Sequence, residues 1–173
     1  MAIVSNLTKD HIILGQCYRE AVNSPDTSTQ LGAVIMSPAG TLMSSTISHN
    51  GFVTGWEPRA EDYERPRKYL ITEHAERRAI YKAAKMGIRL KGATLYCTWA
   101  ACTDCARAIV ESGITKLVRH YPPLDEATER WLESVSLGDR IMKQGGVKIV
   151  DILGPISEAF SILRGGEIFD PSI

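Results

Sequence analysis

At 173 residues with 44% hydrophobic side chains, the chain is long enough for one domain with a real core and too short for two comfortable ones. No apolar run approaches the roughly eighteen residues that cross a bilayer, and the start "MAIVSNLTKDHIIL" lacks a basic segment followed by a long apolar one, so a soluble cytoplasmic protein without membrane contact is expected. Lys plus Arg equals Asp plus Glu, which leaves no broad positive field for phosphate backbones and favours a small substrate over a nucleic-acid polymer.

In chain order, residues 7–23 place Ile12, Ile13, Cys17 and Ala21 at helical spacing, and "NSPDTSTQ" follows as a polar loop. "LGAVIM", the turn "SPAG" and "TLMSSTIS" have the pattern of a β-hairpin ending at Asn50-Gly51. The segment 51–72 is charged, aromatic and aperiodic, longer than most connections, and loops of that length usually carry function or are disordered. A helix is expected from about His74 to Met86, with Ala75, Ala79, Ala83 and Met86 as its stripe and Gly87 closing it. Then come a strand "GATLYCT", a helix "CTDCARAIVES", a strand "ITKLVRHY", a helix "DEATERWLESV" and a strand "GVKIVDI". Strands alternating with helices imply an α/β fold with a mainly parallel sheet covered on both faces. The tail 154–173 is too apolar to float in water and is expected to dock on its own domain or a neighbouring subunit, within a single domain spanning 1–173.

Four cysteines (Cys17, Cys97, Cys102, Cys105) are too few and too unevenly placed for a disulfide framework, so the close pair reads as metal-binding or redox. Cys102 and Cys105, at i and i+3, share one face of a helix whose first turn stabilises thiolates. His74 can supply a third zinc ligand, and three protein ligands leave one position for water. The ion lowers the pKa of that water, and Glu76 beside it can carry the proton as general acid/base. On an ideal helix, positions i and i+2 point roughly 200° apart, so His74 must sit at the helix start, with Thr72 as a possible N-cap. Two other readings stay open: a buried or redox cysteine pair, and a closed structural site with Cys97 as fourth ligand. The closed site leaves Glu76 without a role, and strand alternation in "TLYCT" makes Cys97 a core residue. Cys17, His11 and His49 have no partner at metal spacing.

H-x-E followed by a Cys-x-x-Cys helix is the signature of zinc-dependent nucleobase deaminases. "SPDTSTQLGAVIM", "HNG", "EHAERRAI", "KGATLYCTWAACTDCARAIVESGITKLV" and "DEATERWLE", in this order within residues 7–151, resemble the deoxycytidylate (dCMP) deaminases, including those encoded by bacteriophages. The resemblance implies a cytidine-deaminase-like three-layer α/β/α fold with a mixed five-stranded sheet. It implies His74, Cys102 and Cys105 as zinc ligands, Glu76 as proton shuttle, Asn50 as a sugar contact and the backbone around Ala75 as a contact to the pyrimidine edge. It further implies a homo-oligomer, commonly a hexamer, that converts dCMP to dUMP for thymidylate synthesis, in the host cytoplasm if phage-encoded. Activation by dCTP and inhibition by dTTP, with Mg2+ accompanying the triphosphate, would act through the segment after Asn-Gly. Gly51, Arg65, Arg67 and Lys68 in that segment, and Arg78 beyond it, are the effector candidates.

Three departures accompany the resemblance. Ala101 stands where the family usually has Pro before the first Cys, which the helix start should survive since Pro only pre-sets it. Arg78 replaces the usual Asn two residues after the Glu, and the extra cysteines of a second, structural zinc have no counterparts. For the nucleotide phosphate, the residues themselves offer Ser24, Thr27, Ser28 and Thr29 in the polar loop, and Arg119 and Tyr121 at a strand end. The same chemistry on dCTP or deoxycytidine, and a non-catalytic zinc-stabilised module, are the rival readings.

Overall fold

The computed structural model describes residues 8–121 and 129–173. Helix α1 (Lys9–Ala21) starts at Thr8, whose side-chain oxygen accepts from the His11 N–H, and buries Ile13, Leu14, Cys17, Tyr18 and Ala21. Ile12, expected on that stripe, is 53% exposed, and Leu14 takes its place. Five strands build the main sheet: β1 (Gly32–Met36), β2 (Ser48–His49), β5 (Thr94–Cys97), β6 (Lys116–His120) and β7 (Lys148–Ile152), in the order β2-β1-β5-β6-β7. β1 runs antiparallel to β2 and β5, while β5, β6 and β7 are parallel. The sheet is therefore mixed: four strands share a direction and β1 alone runs against them. The hairpin return at β2 reverses the chain before it crosses over to β5.

Strand alternation divides the core into two faces. Ala33, Ile35, Leu95, Cys97 and Leu117 point toward α3 (Ala75–Lys85), α4 (Thr103–Glu111) and α5 (Leu132–Gln144). Val34, Met36, Tyr96 and Val118 point toward α1 and the C-terminal tail. Three α/β/α layers result. Close contact is forced at Gly32, where an added Cβ would lie 1.9 Å from the Cys17 carbonyl oxygen, so α1 rests directly on β1.

The second hairpin strand is shorter than expected. Leu42 makes one bridge to Met36, Ser44–Thr46 forms a 3₁₀ turn, and only Ser48–His49 pairs along β1. The Thr46 hydroxyl donates to the Met43 carbonyl at 2.7 Å, a local bond that competes with the ladder. The segment 51–72 is a closed excursion: β3 (Gly51–Phe52) pairs antiparallel with β4 (Thr72–Glu73), and the chain between them includes a short helix α2 (Lys68–Ile71). Its hub is the buried Asp62 carboxylate, which accepts from the Trp56 indole, the Arg59 N–H and the Arg67 guanidinium.

The predicted helix over 125–135 begins at residues 125–128, outside the described residues, and the helix observed next is α5, running on to Gln144. Its apolar side (Val135, Met142) is interrupted by Gly138, which hid it from periodicity. A Cβ at Gly138 would lie 2.8 Å from the Ala101 carbonyl, so the glycine lets α5 press against the start of α4. In the tail, Ile156 and Ile162 are buried against the sheet face under α1, and β8 (Ile162–Arg164) pairs with β9 (Glu167–Phe169) across a Gly165-Gly166 turn.

Candidate metal centre and active-site cleft

The ends of β2 and β5 and the start of β1 meet along one edge of the sheet, where the parallel strands present their carboxyl ends and where α/β folds commonly place their sites. Two helix starts converge there. His74, not Thr72, occupies the N-cap of α3 with an extended backbone (φ −73°, ψ 153°), while Thr72 lies in β4. That extended residue resolves the opposed directions of an H-x-E pair. Cys102 is the N-cap of α4 (φ −71°, ψ 173°), and Cys105 lies within its first turn.

The His74 Nδ1 is 3.5 Å from the Cys102 Sγ and 3.5 Å from the Cys105 Sγ, and all three ligand atoms lie within 4.8 Å of one another. Among the described residues no other cluster of His, Cys, Asp or Glu converges in this way. Two sulfurs and one imidazole nitrogen form a donor set suited to zinc. The Cys102 thiolate accepts from the Cys105 thiol and from His74, which brings its pKa down to about 4 against the cost of burial. Burial disfavours the charged imidazole, yet Cys102 and Glu76 outweigh it and raise His74. Cys97 sits apart in the core, its thiol donating to the Trp99 carbonyl, and is not in the ligand cluster.

Glu76 is 3% exposed, burial raises its pKa, and its Oε2 is enclosed without a hydrogen-bond partner among the described residues. A buried carboxylate oxygen without a partner is costly and calls for a chemical explanation. It faces a cleft that also takes in His74, Cys102, Asn50, Tyr69, Trp99 and Trp131. Trp131 stands edge-on to the His74 ring at 6.0 Å, and Tyr69 edge-on to Trp131 at 6.0 Å. Aromatic walls with a few polar groups at the floor suit a flat heterocycle.

The sequence-nominated residues divide sharply. Asn50 lines the cleft, but its amide is engaged: Oδ1 accepts from the Leu31 N–H at 2.7 Å and Nδ2 donates to the Thr29 carbonyl at 2.8 Å. Ala75 is buried, and its carbonyl accepts from the Ser48 hydroxyl. Ser28 and Thr29 line the cleft, whereas Ser24 and Thr27 do not. The loop N–H groups of Ser28 and Thr29 donate to Asp26 at 2.8 and 3.0 Å, so an internal carboxylate already occupies that anion position. Arg119 is 3% exposed and ion-paired with Asp139 and Asp151; neither it nor Tyr121, against which it stacks, lines the cleft.

Among the effector candidates, Arg67 is tied to Asp62, and Arg78 donates to the His49 carbonyl beside Gly51. Arg65 donates to the Ser28 hydroxyl at 3.2 Å. Lys68 lines the catalytic cleft itself and donates to Asp26 and Ser28. Sequence reasoning passed over Asp26, Leu31, Tyr69, Arg130, Trp131 and Val135 as lining residues. Of these only Tyr69 lies in the long aromatic loop 51–72, whose composition gave any sign of it.

Residues 7–121 match the profile of the cytidine and deoxycytidylate deaminase zinc-binding region. A protein of Aliivibrio fischeri described as an uncharacterised deaminase in the luxG 3' region is 34% identical over 128 residues, covering 73% of this chain and 81% of that one. The deoxycytidylate deaminase of Enterobacteria phage T4 is 32% identical over 138 residues, 76% of this chain, which spans 66% of the phage protein's length. The crystal structure of the cyanophage S-TIM5 dCMP deaminase in complex with dCMP and dUMP superposes with a TM-score of 0.62 at 19% identity, covering 87% of this chain and all of that one, a likeness of fold. On this match and on the His74, Cys102 and Cys105 cluster, the chain belongs to the zinc-binding cytidine and deoxycytidylate deaminase family.

Proposed function

We propose that this protein catalyses the hydrolytic deamination of dCMP to dUMP and ammonia. The observation that carries the reading is the enclosed Glu76 oxygen, unpartnered among the described residues, in a cleft lined by His74 and Cys102, two of the three residues of the His74, Cys102 and Cys105 cluster. Those three side chains would hold a zinc ion, which when bound would supply Lewis acidity toward a water molecule.

The protein's own groups do the rest. Glu76, the buried carboxylate, takes a proton from the attacking water and hands it to the departing nitrogen, one group serving both transfers. Trp131, Tyr69 and Trp99 flank the planar base and exclude water. Asn50 fixes the backbone of Thr29 and Leu31, so the loop that meets the sugar side is held in place. The preference for the monophosphate draws on the likeness to deoxycytidylate deaminases. Supply of dUMP for thymidylate synthesis, a hexameric assembly, a host-cytoplasmic setting and dCTP/dTTP regulation with Mg2+ belong to the same reading, through the family resemblance. Among the described residues no helix is long and apolar enough to cross a membrane.

The test is loss of cytosine absorbance on a matched panel of dCMP, CMP, deoxycytidine and dCTP, using protein with one zinc per chain. Efficient turnover of dCMP over deoxycytidine and dCTP is expected; a protein that turns over none of the four overturns the reading. Unchanged dCMP saturation curves in dCTP or dTTP with Mg2+ would remove the regulatory part alone.

A further inference from the structure

Ser28, Thr29 and Leu31 line the catalytic cleft from a loop that precedes β1, and Gln30 between them does not. The stretch is gripped from two directions. Asn50 takes the Leu31 N–H and the Thr29 carbonyl on one side. Gln30 turns the other way, toward the C-terminal hairpin: its N–H donates to the Leu163 carbonyl at 2.9 Å, and its Oε1 accepts from the Leu163 N–H at 2.9 Å. One residue thus satisfies both backbone groups of Leu163, its side chain standing in for a strand neighbour's carbonyl. The Gln30 Nε2 donates to the Ser24 carbonyl at 3.1 Å, so the same side chain also ties the start of the loop. Two further bonds run alongside: the Gly165 N–H donates to the Thr29 hydroxyl at 3.3 Å, and the Gly166 N–H to the Ser28 carbonyl at 2.8 Å.

The hairpin is itself fixed to the body of the protein. Ile156 and Ile162 are buried under α1, the Ile156 N–H donates to the Pro171 carbonyl at 2.7 Å, and the His120 Nε2 donates to the Gly154 carbonyl at 2.9 Å. The loop's internal bonds, from the Ser28 and Thr29 N–H groups to Asp26, shape a turn without setting where it lies. Lys68 and Arg65 hold the loop at Asp26 and Ser28, before Gln30 is reached. We propose that Gln30 is a positioning residue for the substrate: by clasping the C-terminal hairpin it keeps Thr29 and Leu31 where the nucleotide meets them. The tail, which lies beyond residues 7–121 of the family match, thereby becomes part of what the cleft needs. The inference rests on the nucleotide reading above. With the clasp gone, the loop spreads over other conformations and the substrate binds only the competent fraction, so apparent affinity falls by that fraction while chemistry in the bound state proceeds as before.

The zinc-loaded full chain carrying Gln30→Met, a side chain of similar length without hydrogen-bonding groups of that kind, tests it. Loss of the two side-chain bonds should raise the KM for dCMP by about 5- to 50-fold and leave kcat within about twofold. A lower Tm with unchanged KM, measured well below that Tm, would make the clasp purely structural and overturns the proposal, as does a fall in kcat at unchanged KM. Linkage supplies a second measurement on the unaltered chain: if the clasp favours the ligand, the ligand must favour the clasp. Saturating dUMP should slow hydrogen exchange at the Leu163, Gly165 and Gly166 amides, followed by NMR, by about threefold or more. Equal rates with and without bound dUMP overturn the proposal even if Gln30→Met fails to fold. If the unaltered protein does not act on dCMP, the nucleotide reading falls, and exchange at the Thr29 and Leu31 amides then decides the clasp by itself. Faster exchange there in Gln30→Met than in the unaltered chain supports it, and identical exchange overturns it.

Discussion

Replacing Glu76 by Gln keeps the side chain's shape and removes its capacity to carry a proton. Glu76 lies in the first turn of α3, and its enclosed Oε2 makes no hydrogen bond that the amide would break. Fold and zinc content should therefore stay as they are, since the three ligand atoms belong to His74, Cys102 and Cys105. A positioned acid/base group contributes about 10² to 10⁴ in rate, or about 3–5 kcal/mol of transition-state stabilisation. The upper end is expected here, because the one other carboxylate among the described lining residues, Asp26, is held by Lys68 and by the loop N–H groups and cannot substitute. The assay is the initial rate of cytosine absorbance loss at saturating dCMP, with zinc per chain and Tm measured on the same preparation. Glu76→Asp keeps the charge but withdraws it by about one bond length, a misplacement that costs on the order of 10²-fold. A fully zinc-loaded Glu76→Gln protein with more than about a tenth of normal kcat would refute the mechanism.

Three further outcomes follow from the packing. Asn50→Ala strands the half-buried Leu31 N–H and Thr29 carbonyl; at about 1 kcal/mol for each group, the low end of the range for unsatisfied groups, a loss of about 1–2 kcal/mol should appear in urea unfolding together with a raised dCMP KM, and a loss under about 0.5 kcal/mol would contradict it. Gly32→Ala drives a methyl into the Cys17 carbonyl 1.9 Å away, so α1 must leave β1; destabilisation of about 3 kcal/mol or more is expected, and a Tm within a degree of normal would show that α1 does not rest on β1 so closely. The Arg59 N–H and the Arg67 guanidinium hold the Asp62 carboxyl down to about 2, below its unfolded value near 3.9. Its stabilisation is thus fully present above about pH 4 and is lost as pH falls toward 2; Asp62→Asn should flatten the stability profile in that window, and an unaltered slope would count against the hub.

The metal chemistry was legible because it is local. A histidine at a helix cap, a glutamate two residues on and two cysteines across one helical turn are set by short offsets, and the structure keeps those offsets at the starts of α3 and α4. Strand alternation was legible for the same reason: Leu95 and Cys97 face one layer and Tyr96 the other. Interrupted or distant patterns were not. α5 is longer than its periodicity suggested because Gly138 is needed for contact with Ala101, a constraint visible only once the two helices meet. That Lys68 reaches Asp26 across 42 positions of sequence and lines the cleft was likewise not visible along the chain.

The sequence by itself determined the zinc-binding donor set, the family and the α/β alternation, since each depends on residue types at short spacing. Which cations face the cleft was decided by tertiary structure alone. Arg119 at a strand end and Arg164 in a tail look equally solvated along the chain, yet β6 carries Arg119 to Asp139 and Asp151 while the Gln30 bonds hold β8, and Arg164 with it, beside the cleft. The physical reason is that a charge acts through its neighbours in space, and those neighbours arrive from distant parts of the chain only when the core closes.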